Sequence, residues 1–154
     1  MNLCPCQSEQ PYENCCQPYH QNHRQPETAE QLMCSRYAAY AMQQIDYIIQ
    51  TTVPAQQHQL DRASIEQWSR SAQWLGLVVH RHLAKISPSH AQVDFTAHFA
   101  EHGTAHQHRE LSAFVQINGR WYFIDPTVAL PSMKTPCICG SGRKFKACCG
   151  QFFK

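Results

Sequence analysis

The sequence predicts an α+β protein in which helices pack on a curved antiparallel sheet and a small cysteine-rich module sits at each end. Three observations predict it. Apolar residues recur at helical spacing from Leu32 to Ile49, the rhythm changes to period two after Trp74, and a cysteine pattern near the start is repeated near the end. Helices first and strands afterwards is the order of an α+β chain rather than of an alternating α/β one.

The first element is the N-terminal module. Cys4-Pro-Cys6 is followed after eight residues by Cys15-Cys16, and Cys137-Ile-Cys139 is followed after eight by Cys148-Cys149. Ser8 matches Ser141 and Tyr12 matches Phe145, which identifies a duplicated unit. Two pairs of thiols on a short loop can surround a tetrahedral zinc ion without needing a core of their own. Each quartet closes the coordination shell, so two structural sites are expected and zinc-centred catalysis is not. The alternative is disulfide pairing, since eight of the nine cysteines pair arithmetically. Against it, Met1-Asn2-Leu3 opens without a basic start or an apolar run, which leads us to expect a reducing, cytoplasmic setting. Adjacent cysteines also suit a shared metal better than a strained bond between neighbours.

The two copies are not equal. Gly140-Ser141-Gly142 lets the second turn tightly, whereas Gln7-Ser8-Glu9 must make the same turn with side chains. Glu9 and Glu13 bring acidic charge where the second copy carries Arg143, Lys144 and Lys146, cations suited to a centre of net charge about minus two. Weaker zinc binding is therefore expected at the N-terminal site.

Residues 17–27 are polar and proline-punctuated, and read as a connector. Thr28-x-x-Gln31 then forms a capping box. Leu32, Tyr37, Tyr40, Ala41, Ile45, Ile48 and Ile49 predict one helix ending by Pro54, with Cys34 on it as a buried bystander. Ile65, Trp68 and Ala72 predict a second helix from Asp61 or Ser64 to about Gln73.

Strand-like runs follow at 75–86, 91–101, 110–117 and 121–125. Asn118-Gly119 is the strongest hairpin signal. A two-residue turn there pairs Ile117 with Arg120, Val115 with Tyr122, Phe114 with Phe123, Ala113 with Ile124 and Ser112 with Asp125. One face then carries Leu111, Ala113, Val115, Ile117, Tyr122 and Ile124. The other carries Glu110, Ser112, Phe114, Gln116, Trp121, Phe123 and Asp125, of which Glu110, Ser112, Phe114, Trp121, Phe123 and Asp125 are candidates to line a pocket. Acid-base groups in that pocket are one reading; a structural network joining Glu110, Ser112 and Arg36 is the one preferred here. No local nucleophile with a base, phosphate loop or cofactor fingerprint accompanies them, so no catalytic residue is assigned and an enzyme is not the expected reading. His80-x-His82 and His106-x-His108 each place two imidazoles on one strand face, although no carboxylate or cysteine has ligand spacing to either pair.

The sequences CPCQSEQPYENCC and CICGSGRKFKACCG resemble the SEC-C motif, the zinc-binding tail of the translocase motor SecA. Two such motifs flank a middle that holds Glu30-Gln31-Leu32-Met33, Ser35-Arg36-Tyr37, Trp74-Leu75-Gly76-Leu77 and Glu110-x-Ser112-x-Phe114, and the whole chain resembles the YchJ family of bacterial proteins. The resemblance implies a nuclear-transport-factor-2-like cone in the middle, two zinc ions held by Cys4, Cys6, Cys15, Cys16 and by Cys137, Cys139, Cys148, Cys149, and a protein partner such as an export chaperone or the ribosome. Residues 1–27 would then be the first zinc module and connector, 28–130 the α+β domain and 131–154 the second zinc module. By likeness to the SecA tail, Arg143, Lys144, Phe145 and Lys146 would form the partner-contacting surface.

Charge and composition bound the rest. The formal charge is +2 and 43% of residues are apolar, and two four-thiolate zinc sites would leave the loaded protein at about minus two. The whole chain therefore makes no electrostatic case for nucleic acid, which stays a reading for the basic C-terminal module alone. No apolar run approaches the roughly twenty residues needed to span a bilayer. The expectation is a zinc-binding accessory protein that acts as a protein-interaction adaptor, with a small-ligand binder or enzyme built on the middle cavity as the alternative.

Overall fold

The structure, a computed structural model, describes residues 2–153. Four helices, α1 (Gln17–His20), α2 (Ala29–Ala41), α3 (Ile45–Gln50) and α4 (Arg62–Ser71), precede the strands β1 (Gln73–Ser87), β2 (His90–Glu101), β3 (Thr104–Ile117) and β4 (Arg120–Phe123). The strands form one antiparallel sheet in the order β1-β2-β3-β4. Helices on one side of a curved sheet is the predicted α+β arrangement.

The long helix expected up to Pro54 is broken in two. At the end of α2, Gln44 N–H reaches back to Ala39 O and Gln43 N–H to Tyr40 O, with Gln43 left-handed at φ 54°. This is a Schellman stop made without glycine. At its start α2 is capped by Thr28, whose hydroxyl accepts from Gln31 N–H, as the capping box requires. Leu32, Met33, Ser35, Arg36, Tyr37, Ala38 and Ala39 are all buried, so α2 is covered on nearly every side and carries no solvent stripe. Asp61 starts α4 by accepting from Ala63 and Ser64 N–H.

The hairpin after β3 has the predicted register: Phe114 pairs with Phe123, Val115 with Tyr122 and Ile117 with Arg120. Asn118 and Gly119 are both left-handed, at φ 52° and 81°, as a type I′ turn demands. β4 stops at Phe123, two residues early. The Gln56 side chain takes over the backbone of Asp125, donating to its O and accepting from its N–H, each at 2.9 Å. Meanwhile Phe123 N–H donates to Thr51 O and Val53 N–H to Phe123 O. β3 begins six residues before the predicted start, because His102 (φ 51°) and Gly103 (φ 78°) make a second tight turn that pairs Thr104 with Glu101.

The two sheet faces separate as expected, with different neighbours. Phe114, Trp121 and Phe123 pack with Leu32, Met33, Tyr37 and Ile48 of the helices. On the opposite face Ala113, Val115 and Ile124 pack against Phe145, Cys148 and Cys149 of the C-terminal module. Burial of each such large apolar side chain contributes roughly 1.5–3 kcal/mol. The N-terminal module lies against α2, where Cys4, Cys6 and Cys16 surround Ala38. Residues 17–27 are more than a connector: α1 is helical, and its Tyr19 and His20 are buried. Among the described residues, no helix is long and apolar enough to cross a membrane.

Candidate metal centres

Each module is built by the same backbone hydrogen bonds. Cys4 N–H donates to Gln10 O, Gln7 N–H to Cys4 O and Cys15 N–H to Tyr12 O; the second copy repeats them as Cys137 to Arg143, Gly140 to Cys137 and Cys148 to Phe145. Single-bridge pairings, Leu3 with Pro11 and Pro136 with Lys144, close both loops. Gln7 and Glu9 are left-handed at φ 70° and 66°, where Gly140 and Gly142 stand at 78° and 83°. The non-glycine copy therefore makes the same turn in a conformation that glycine adopts more readily.

These loops bring the eight predicted cysteines together in two groups, Cys4, Cys6, Cys15, Cys16 and Cys137, Cys139, Cys148, Cys149, with all four sulfurs of each group within 4.8 Å of one another. All are free thiols. Cys6 and Cys15 Sγ lie 3.6 Å apart, Cys15 and Cys16 3.9 Å, and Cys139 and Cys148 3.5 Å. A tetrahedral ion with metal–sulfur bonds of about 2.3 Å requires edges of about 3.8 Å, so both quartets are able to hold a metal ion and are consistent with zinc. Electrostatics agree. Hydrogen bonding from Cys16, and then Cys4, draws the Cys6 thiol down to about 2, while bonds to Cys4 and Cys6 push Cys16 up. In the second quartet the bond with Cys149 draws Cys137 down to about 4, and the same bond pushes Cys149 up. Within each quartet the closely spaced thiols thus ionise unequally, and a cation seated among them would favour the thiolate form of all four.

Polar groups support the sulfurs. Ser8 Oγ lies 3.1 Å from Cys15 Sγ and Ser141 Oγ 3.4 Å from Cys148 Sγ, at matching positions. Sequence reasoning missed two histidines that tie the modules to the middle. His90 Nε2 lies 3.2 Å from Cys149 Sγ, and its Nδ1 is 2.7 Å from Ser87 Oγ. With a metal bound, the Cys149 sulfur would be deprotonated and could only accept, which would place the imidazole proton on Nε2 and leave Nδ1 to accept from Ser87. His20 Nε2 donates to Ser35 O at 2.8 Å, so its Nδ1 accepts from Tyr12 O–H at 2.6 Å. Burial lowers both imidazoles below their usual range. Neither histidine belongs to the cysteine pattern: His90 meets its module only through the fold, whereas His20 follows Cys16 closely in the chain and reaches across to α2. Cys34, on α2, packs against the N-terminal quartet, and burial raises its thiol to about 12.

Of the proposed contact surface, Arg143, Lys144 and Lys146 are exposed. Phe145 is not. It is 1% exposed, stacked on Phe153 and packed against the sheet, because the module needs an apolar anchor to sit on Ala113 and Val115.

Between the helices and the aromatic face lies a cavity of about 620 Å³. Glu110, Ser112, Phe114, Phe123 and Asp125 line it as expected, together with Arg36. Trp121 does not: it points toward the connector, where its indole N–H donates to Glu27 O. The expected network joining Arg36 to Glu110 and Ser112 does not form. Ser112 Oγ donates to Glu110, whereas Arg36 Nη1 donates to Ile48 O, Thr51 and Thr52. Among the described residues, the histidine pairs gather no metal-ligand cluster.

Residues 28–126 match the YchJ middle NTF2-like domain, and residues 2–18 and 133–151 match the SEC-C motif. The chain is 52% identical over 150 residues to a UPF0225 protein of Actinobacillus succinogenes, covering 97% of each. It is 48% identical to a UPF0225 protein of Haemophilus influenzae, covering 97% of this chain and 92% of that one. It is also similar to the crystal structure of a SEC-C motif containing protein from Psychrobacter arcticus, with a TM-score of 0.92 at 44% identity over 99% of this chain and 97% of that one. A solution structure of a SEC-C motif containing protein from Rhodopseudomonas palustris matches with a TM-score of 0.73 at 35% identity, over 80% and 96%.

Proposed function

The chain belongs to the YchJ family of SEC-C motif proteins, and from that premise we propose that it is an adaptor whose two cysteine quartets each hold a structural zinc ion. The observation that carries the metal reading is the pair of four-sulfur clusters, each with its sulfurs within 4.8 Å of one another. A zinc ion bound there supplies a tetrahedral cross-link with no open position for substrate or water. The protein's own residues do the remainder. The cysteines fix the loop ends, Ser8, Ser141 and His90 lie within hydrogen-bonding reach of the sulfurs, and Phe145 anchors the second module on the sheet. A loop of this size has no independent core, so its folding is coupled to the metal.

The contact surface in this reading is the exposed cationic set Arg143, Lys144 and Lys146. Its likeness to the SecA tail supports a protein partner such as an export chaperone or the ribosome. Such a partner would present acidic side chains to the three cations, a match that steers association more than it adds affinity. An affinity pull-down with the zinc-loaded chain, beside a variant carrying Arg143→Ala, Lys144→Ala and Lys146→Ala, tests this. The reading requires the variant to lose the captured protein while keeping both metal ions. Retention of the same partners contradicts it, and capture that depends steeply on salt and is abolished by nuclease would assign the surface to nucleic acid instead.

A further inference from the structure

Arg36 is 8% exposed and lines the 620 Å³ cavity. Its Nη1 donates to Ile48 O at 2.8 Å, Thr51 Oγ1 at 2.7 Å and Thr52 Oγ1 at 3.4 Å. These partners are neutral. Among the described residues no other hydrogen bond engages the guanidinium, and none of the ion pairs includes it. One face of the cation rests on the Phe123 ring, 4.4 Å from its centroid. Asp125 and Glu110 act on this buried cation only from beyond ion-pair distance, so an incoming negative group in direct contact would relieve it further.

The carboxylates of the same cavity are already engaged. Glu110 accepts from Ser112 and faces His108, Asp125 accepts from Thr127 N–H and hydroxyl, and Asp61 caps α4. Glu110 keeps 24% of its side chain accessible and Asp61 is exposed, so the acids stand nearer solvent than Arg36. Between them the walls are aromatic, including Tyr40, Trp68, Trp74, Phe95 and Phe99. The volume falls within the roughly 300–1,000 Å³ of small-molecule sites.

We propose that this cavity binds an apolar monocarboxylate, its carboxylate against Arg36 and its hydrocarbon or aromatic body against the aromatic wall. The acidic groups around Arg36 disfavour ligands of higher negative charge, and the single guanidinium leaves one anionic group to satisfy. The site is independent of the metal reading, because no cysteine of either quartet lines it.

The test is calorimetric titration of the full-length, metal-loaded protein with 4-phenylbutyrate, phenylacetate and octanoate, each beside its neutral amide. At least one acid should bind one-to-one, and its amide should bind about tenfold or more weakly, the loss expected for one charge-assisted contact. Ala97→Phe, on the cavity wall between Phe95 and Phe99, should abolish binding without touching Arg36. Arg36→Gln should erase the preference for acid over amide; because Arg36 also holds α3, Ala97→Phe decides the matter if that variant fails to fold. The proposal is overturned if none of the acids saturates the protein at millimolar concentration, if acid and amide bind alike, or if Ala97→Phe binds as well as the parent.

Discussion

His90 holds its Nε2 3.2 Å from the sulfur of Cys149, joining the turn between β1 and β2 to the C-terminal quartet. The ring is fixed on its other side by Ser87 and lies against Phe152, at a centroid separation of 4.9 Å. Groups that orient metal-binding side chains commonly change metal affinity about 10–100-fold when removed. His90→Ala should therefore release metal from the C-terminal quartet at least about tenfold more readily in a chelator competition. Release from Cys4, Cys6, Cys15 and Cys16 should not change, and a variant lacking the other quartet assigns each phase.

The left-handed positions make a reciprocal prediction. Glu9→Gly should stabilise the N-terminal loop by about 0.5–1 kcal/mol, because φ 66° is uncongenial to a side chain. Gly142→Ala should destabilise the C-terminal loop by about 1 kcal/mol through its backbone alone, since an added Cβ would meet nothing within 4 Å. Metal affinity reads both, and about 1 kcal/mol corresponds to roughly a fivefold change.

His20 makes a pH prediction. Burial lowers its pKa, and the ring is packed between Tyr12 and Tyr47 and held by Ser35 O. The unfolded chain then binds the proton more readily than the folded one. Its contribution is fully present above about 6.5 and is lost as pH falls below that value toward the folded pKa. The imidazole should titrate below 6.5 by NMR, and His20→Asn should flatten the fall of melting temperature between about pH 6.5 and 5.5. An imidazole titrating above 6.5 would contradict this.

Gln56 is 1% exposed and holds both backbone groups of Asp125. Gln56→Ala leaves a buried N–H and C=O without their partner and should cost about 1–3 kcal/mol in denaturant unfolding. Gln56→Glu keeps the acceptor but, when ionised, sets a buried carboxylate oxygen against Asp125 O, so it should recover the loss only when the carboxyl is protonated and can donate.

What could be read from the sequence divides by the range of the interaction that encodes it. Asn118-Gly119 specified the register of β3 with β4 because a two-residue turn allows no slip, and the duplicated cysteines located both clusters because their spacing is local. Gln43 hid the break between α2 and α3, since a Schellman stop usually announces itself with glycine. His102-Gly103 gives no clear turn signal in the sequence, because the residues opening β3 are exposed and polar and show no alternation. Phe145 was misplaced on the surface for a different reason: its partners, Ala113 and Val115, lie on a strand more than two dozen residues away. Arg36 and His90 likewise owe their roles to neighbours that only the folded chain supplies.

Native mass spectrometry with elemental analysis of freshly purified, reduced protein tests whether the eight thiols clasp two metal ions as structural supports. Two zinc ions per chain are expected, falling to one when either quartet is changed to serine. A reduced, folded chain that carries no stoichiometric metal and keeps its structure with all eight thiols replaced would contradict it.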